Sequence, residues 1–214
     1  MKIINTGCST IFRVDDILDS DTCIKLYQYI MNLKIQNIDN ILLPWKINNP
    51  NNNTMGNTFP WIHITDLKLK QKILEYRIKL TKLVNQFFNK EYFINFTDIC
   101  VWSKNQEMAL HKDDGYNNDN GKLSMRKITT VLYINDNFKG GETFIKNETD
   151  KLYINKPKKG SVIIFLSDDT NEHGVNKITA GYRVTLPIWF CENKLYAENE
   201  FNPNIKKYLS TQNI

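Results

Sequence analysis

Histidine is scarce in this chain, with three among 214 residues, so a site built on imidazole has very few places to be. Cysteine is little commoner. Cys8, Cys23, Cys100 and Cys191 stand far apart, with no C-x-x-C pair and none of the dense framework that staples small secreted folds. Free thiols in a reducing compartment follow. The N-terminus has no apolar core behind a basic start, which adds the expectation of a cytoplasmic protein. No stretch approaches the roughly 20 apolar residues of a membrane-spanning helix, so no membrane partner is expected.

A large excess of one charge is also missing. The net charge of +5 is modest for this length, and Lys and Arg are scattered. The densest basic stretch, residues 68–82, reads as the solvated face of an amphipathic helix, so nucleic acid is not indicated as a partner. With 41% hydrophobic and 24% charged residues, composition excludes a disordered or fibrous chain. The length suits one globular domain, residues 1–214, with a core that needs no disulfide or zinc.

The pattern divides the chain. A short helix is expected after Ser20 or Asp21, either serving as its N-cap, with Cys23, Ile24, Leu26, Tyr27, Ile30 and Met31 at helical spacing. A longer one is expected from Asp66, with Ile73, Tyr76, Leu80, Leu83, Val84, Phe87 and Phe88 on one side. Between them, residues 46–60 are crowded with Asn, Pro and Gly and read as a surface loop. From Tyr92 the chain turns to β-rich runs separated by turn residues: FINFTDICVW, KITTVLYIN, ETFI, KLYI, SVIIFL and YRVTLPIWF. The fold class is therefore α+β, mainly β: residues 1–91 as helical support, 92–191 as an antiparallel sandwich or barrel, and 192–214 as a polar, peripheral tail.

Two of the three histidines sit in the strand-rich half. In His111-Lys112-Asp113 the spacing of two puts imidazole and carboxylate on one face of an extended segment. His173 follows a strong strand and a turn, and completes a set of two histidines and one carboxylate, which leaves adjacent positions open on Fe(II). An H-x-D alone is weak and arises often by chance. Arg183 strengthens it. If residues 182–190 form a strand, Arg183, Thr185, Pro187 and Trp189 share one face, where a buried guanidinium needs an anion and the distal carboxylate of 2-oxoglutarate would supply one. Thr185 adds a hydroxyl beside it. Tyr133, on an alternating face with Thr129 and Val131, can approach the same co-substrate.

Residues 111–190 resemble the 2-oxoglutarate/Fe(II) oxygenases of the prolyl 4-hydroxylase type: HKD, RKITTVLYIN, GGETFI, KPKKGSVIIFLSDDTNEHGV and GYRVTLPIWF stand in the family's order. The ending is also similar to the oxygen-sensing prolyl hydroxylases, which use Arg at the position of Arg183. The resemblance implies a double-stranded β-helix (jelly roll, cupin-like) flanked by helices. It implies a metal site of His111, Asp113 and His173, with Fe(II), 2-oxoglutarate, O2 and ascorbate as cofactors. It also implies hydroxylation of a C–H bond, foremost of a peptidyl proline, with 2-oxoglutarate decarboxylated to succinate. Arg126 matches an arginine that faces the substrate peptide, and Trp189 an aromatic residue of the same cleft.

Two positions depart from the family. Trp102 and Met108 stand nine and three residues before His111, near places where the family usually has tyrosines. Trp102 would remove one hydrogen bond to the co-substrate, and Met108 puts a flexible apolar side chain beside the substrate. No second arginine stands six residues after Arg183, where nucleic-acid demethylases of the superfamily carry one; Trp189 is there. Protein or peptide is thus the leading substrate, with residues 46–60 and 112–125 as its rims. A free amino acid or other small molecule, and a metal-binding sensor without turnover, are the alternatives.

Overall fold

The computed structural model describes residues 1–35, 43–44, 56–114 and 125–198. In chain order its elements are β1 (Lys2–Ile4), β2 (Ile11–Asp15), α1 (Ser20–Ile35), β3 (Leu43–Pro44), β4 (Asn57–Pro60), α2 (Leu67–Phe88), β5 (Phe93–Trp102), β6 (Met108–His111), β7 (Arg126–Tyr133), β8 (Thr143–Lys146), β9 (Leu152–Asn155), β10 (Val162–Leu166), β11 (His173–Val175) and β12 (Arg183–Cys191). They form a major sheet in the order β1-β2-β10-β7-β12-β5-β4-β3 and a minor sheet in the order β6-β11-β8-β9. The paired strands are antiparallel. This is the expected double-stranded β-helix.

Strand alternation decides what each face of the major sheet does. Val184, Leu186, Ile188 and Phe190 of β12 join Ile128 and Leu132 of β7 and Ile99 and Val101 of β5 in one core beneath α1 and α2. The opposite face turns to the minor sheet, where Val131, Tyr133, Ile163, Phe165 and Ile145 make a second, smaller core. One end of that inter-sheet space stays polar, and the site lies there.

Both helices form where the spacing predicts, with corrections in detail. The cap of α1 is neither Ser20 nor Asp21: Asp19 accepts from the Thr22 amide at 2.8 Å and from its hydroxyl at 2.7 Å. Ile24, placed on the apolar side above, is 42% exposed. Asp66 caps α2 by accepting from the Leu69 amide. The basic face of α2 is only partly solvated, because Lys70 and Arg77 are buried. Lys70 Nζ donates to the Ile62 carbonyl, and the Arg77 guanidinium lies 4.2 Å from the Trp61 ring centroid.

The residue pattern does not anticipate strands β1, β2, β3, β4, β6 and β11. Residues 57–60, assigned above to the surface loop, form β4 and pair with β5, burying Phe59. Residues 46–55 of that loop lie outside the described residues, as do residues 115–124 of the 112–125 rim. The tail assigned as peripheral is anchored as far as Glu198. Its carboxylate accepts from Trp61 Nε1 at 2.7 Å and from Arg77 and Thr97, each at 2.9 Å, while its amide donates to the Ile94 carbonyl. Replacing Glu198 by Ala withdraws a carboxylate from a guanidinium that is 1% exposed, and a loss of about 3 kcal/mol in urea unfolding is expected. A loss below about 1 kcal/mol would show that the clamp contributes little beyond an ordinary surface pair.

Candidate active site

The expected ligand set converges. His111 ends β6, and β11 pairs with β6 so that His173 is its direct register partner, with the two ring centroids 4.3 Å apart. Asp113 lies in the turn after β6, fixed by its amide donating to the Ser167 carbonyl at 3.1 Å. Its Oδ1 is 3.6 Å from His111 Nε2 and its Oδ2 is 3.4 Å from His173 Nε2. One ligand atom from each of the three falls within 4.8 Å of the others. His111 Nδ1 is 3.0 Å from the Ala109 carbonyl, and donating to it leaves the Nε2 lone pair facing inward.

The carboxylate is held from behind. Asp113 Oδ2 accepts from the Thr129 hydroxyl at 2.6 Å and from Trp189 Nε1 at 2.7 Å, and Thr129 is in turn bonded to Ser167 at 2.7 Å. Oδ2 carries these bonds as well as facing His173, so Oδ1, which faces His111, is the oxygen left for a further partner. Burial would raise the Asp113 carboxyl, but the two imidazoles outweigh it and hold it well below the usual carboxylate range. Burial lowers His173, helped by the neighbouring His111. At His111 the bond to Asp113 overcomes burial and raises it. An ionised carboxylate facing two imidazoles within ligand distance is a donor set that fits a divalent cation of the iron type.

Arg183 opens β12 on the same sheet face as Thr185, Pro187 and Trp189, as the alternation requires, and all four line the cavity that contains the His-Asp-His group. It is 2% exposed. Its Nη2 donates to Thr143 Oγ1 at 3.0 Å and its Nη1 reaches Thr185 Oγ1 at 3.4 Å. No carboxylate pairs with it among the described residues. Tyr133 does not point freely at the cavity: it is fully buried, and its hydroxyl shares a 2.6 Å bond with Thr143. Trp102 is the register partner of Arg183 on β5. Met108, at the start of β6, is 8% exposed and lines the cavity.

Arg126 is buried rather than solvent-exposed, its guanidinium 4.1 Å from the Trp189 ring centroid. Trp189 thus joins Arg126 to Asp113, besides lining the cleft. Sequence reasoning did not single out Thr143 or Ser167, or the support that Thr129 gives to Asp113. The inward alternation of Thr143 and Ile145 on β8 was the available signal for the first.

Asp98 is a further buried carboxyl, on β5. Burial pushes it from 3.8 up to about 7, against the Ile99 amide, Thr58 and the charge of Arg126. The folded chain then keeps a proton between about pH 4 and pH 7 that the unfolded chain has released, so stability falls as pH rises through that window. Asp98→Asn is expected to melt a few degrees above the wild type at about pH 8 and level with it at about pH 4. An equal difference at both values would mean that Asp98 is ionised throughout.

Comparison with known proteins agrees with this geometry. Residues 97–191 match the family model of the 2OG-Fe(II) oxygenase superfamily. Over 80 residues the chain is 41% identical to prolyl 3-hydroxylase 2 of Rattus norvegicus, covering 36% of this chain and 11% of that protein. The chain therefore spans only a small part of the curated relatives it matches. Among solved structures, a Pseudomonas putida prolyl-4-hydroxylase superposes with a TM-score of 0.64 at 18% identity, covering 86% of this chain and 93% of that one. A Trichoplax adhaerens prolyl hydroxylase, solved with a hypoxia inducible factor oxygen degradation domain peptide fragment, gives a TM-score of 0.64 at 18% identity, covering 96% and 89%. Over residues 97–191, somewhat less than half of its length, the chain is similar to the 2OG-Fe(II) oxygenase superfamily. It is similar to the prolyl hydroxylases within that superfamily.

Proposed function

We propose that the chain is an Fe(II)- and 2-oxoglutarate-dependent dioxygenase that hydroxylates a peptidyl proline, with 2-oxoglutarate decarboxylated to succinate and ascorbate as the supporting reductant. The observation that carries this is Arg183, a guanidinium buried with no carboxylate partner among the described residues, in the same cavity as His111, Asp113 and His173. A buried cation of this kind is costly unless an anion completes it, and a bidentate bond to a carboxylate is the arrangement its planar fork favours.

His111 Nε2, Asp113 Oδ1 and His173 Nε2 would hold the metal. Bound there, Fe(II) supplies the activation of dioxygen on the side that its three protein ligands leave open. Arg183, with the hydroxyls of Thr143 and Thr185 beside it, binds the distal carboxylate of the co-substrate and so fixes which way its 2-oxo acid end points. Thr129 and Trp189 keep Asp113 oriented. Arg126 and Trp189 form the wall offered to a peptide, and the apolar surroundings of Val131, Val175 and Met108 exclude water from the reacting centre. Met108 also favours a second reading, hydroxylation of a free amino acid or other small molecule. Four free cysteines, three of them buried, suit a cytoplasmic setting, which belongs to the same proposal.

The test is mass spectrometry of proline-containing peptides incubated with the chain, Fe(II), 2-oxoglutarate and ascorbate. A gain of one oxygen on proline is expected, and fragmentation distinguishes the 3- from the 4-position. Oxygen gained only by free amino acids or small molecules would overturn the peptide substrate and favour the second reading.

A further inference from the structure

Arg183 is held by ring faces where an acid would be usual. Its guanidinium carbon lies 5.3 Å from the Tyr133 ring centroid and 5.6 Å from that of Trp102. A cation over an aromatic face is attracted by the ring's quadrupole, more strongly when water is excluded. Tyr133 is fixed by its bond to Thr143. Trp102, the last residue of β5, has a different support. A Cβ placed on Gly56 would fall 2.9 Å from Trp102 Cδ2 and 3.1 Å from Cε2, and 2.9 Å from the Val101 carbonyl oxygen. Gly56 is buried, and it is not among the glycines with positive φ. The φ angle at residue 56 therefore does not require glycine, whereas the indole and the Val101 carbonyl beside it do.

We propose that Gly56 is a positioning residue for the co-substrate: it leaves room for the Trp102 indole to lie against Arg183, and so sets the guanidinium where a dicarboxylic 2-oxo acid can reach it. This rests on the co-substrate reading above. A methyl group at residue 56 displaces the indole, the guanidinium loses one of its two ring contacts, and binding weakens without any change at the metal ligands. Trp102 thereby replaces a hydrogen-bonding side chain with a wall that acts through the cation.

The measurement is calorimetric titration of 2-oxoglutarate into the full chain loaded with Mn(II), with Mn(II) affinity measured separately. Gly56→Ala is expected to raise the Kd for 2-oxoglutarate about tenfold while Mn(II) affinity stays within about twofold. Adding Trp102→Phe, whose smaller ring clears the new methyl group but leaves the Val101 carbonyl in place, recovers part of that loss. Trp102→Leu, which needs no change at residue 56, raises the Kd by a similar factor, and a wild-type Kd there overturns the inference even if Gly56→Ala does not fold. A wild-type Kd in either single variant, or a double variant that recovers nothing, overturns the inference. A wild type that binds Mn(II) but not 2-oxoglutarate overturns instead the co-substrate reading beneath it.

Discussion

Arg183→Met is expected to weaken 2-oxoglutarate binding at least about 100-fold, because it removes a charge-assisted bond made in a site closed to water. Arg183 is 2% exposed, and among the described residues its hydrogen-bond partners are two threonine hydroxyls. The ligand-free protein therefore carries the desolvation cost of the cation that the co-substrate carboxylate would relieve. A second effect of opposite sign follows: without 2-oxoglutarate, Arg183→Met melts at or above the wild-type temperature, since the variant has no buried charge to leave uncompensated. Arg183→Lys keeps the charge but loses the planar fork, and falls between the two. Titration of the Mn(II)-loaded protein with 2-oxoglutarate reads the affinities, and melts with and without it read the stabilities. Wild-type affinity in Arg183→Met would remove the anchor from the proposal.

His173→Ala is expected to abolish metal binding as a stabilising event. At a metal concentration 100 times its Kd, a ligand that binds only the folded state adds about 2.7 kcal/mol, which for a chain of this size is a rise of several degrees in Tm. The three ligand atoms lie within 4.8 Å of one another, and losing one of three leaves too few donors on the retained face to hold the ion. The wild type should melt higher with added Mn(II), and His173→Ala should not. An equal rise in both would mean that Mn(II) binds elsewhere. Removing the Trp189 indole or the Thr129 hydroxyl acts more mildly, because these groups orient Asp113 without touching the metal.

Most of this site was legible because its residues are rare or strictly spaced. With three histidines in the chain, His111 and His173 had little competition. The period of two along residues 182–190 placed Arg183, Thr185, Pro187 and Trp189 together, as the cavity confirms. What escaped was set by contacts between distant parts of the chain. Strands β6 and β11 are too short to show alternation, and they exist because β11 pairs with β6 on one side and with β8 on the other. Strand β2 is recruited by β10, far along the chain. The burial of Arg77 depends on Glu198, 121 residues away, and the bond from Trp189 to Asp113 spans 76. Helical periodicity marks which side of α2 is apolar, but it cannot say that a carboxylate from the tail will draw a guanidinium under cover.

The most direct test is succinate release under oxygen-18 dioxygen, with Fe(II), saturating 2-oxoglutarate and a proline-containing peptide, comparing the wild type with His173→Ala. The expected result is succinate carrying one labelled oxygen atom from the wild type and none above background from the variant. Wild-type release no greater than that of His173→Ala would contradict a dioxygenase centred on His111, Asp113 and His173.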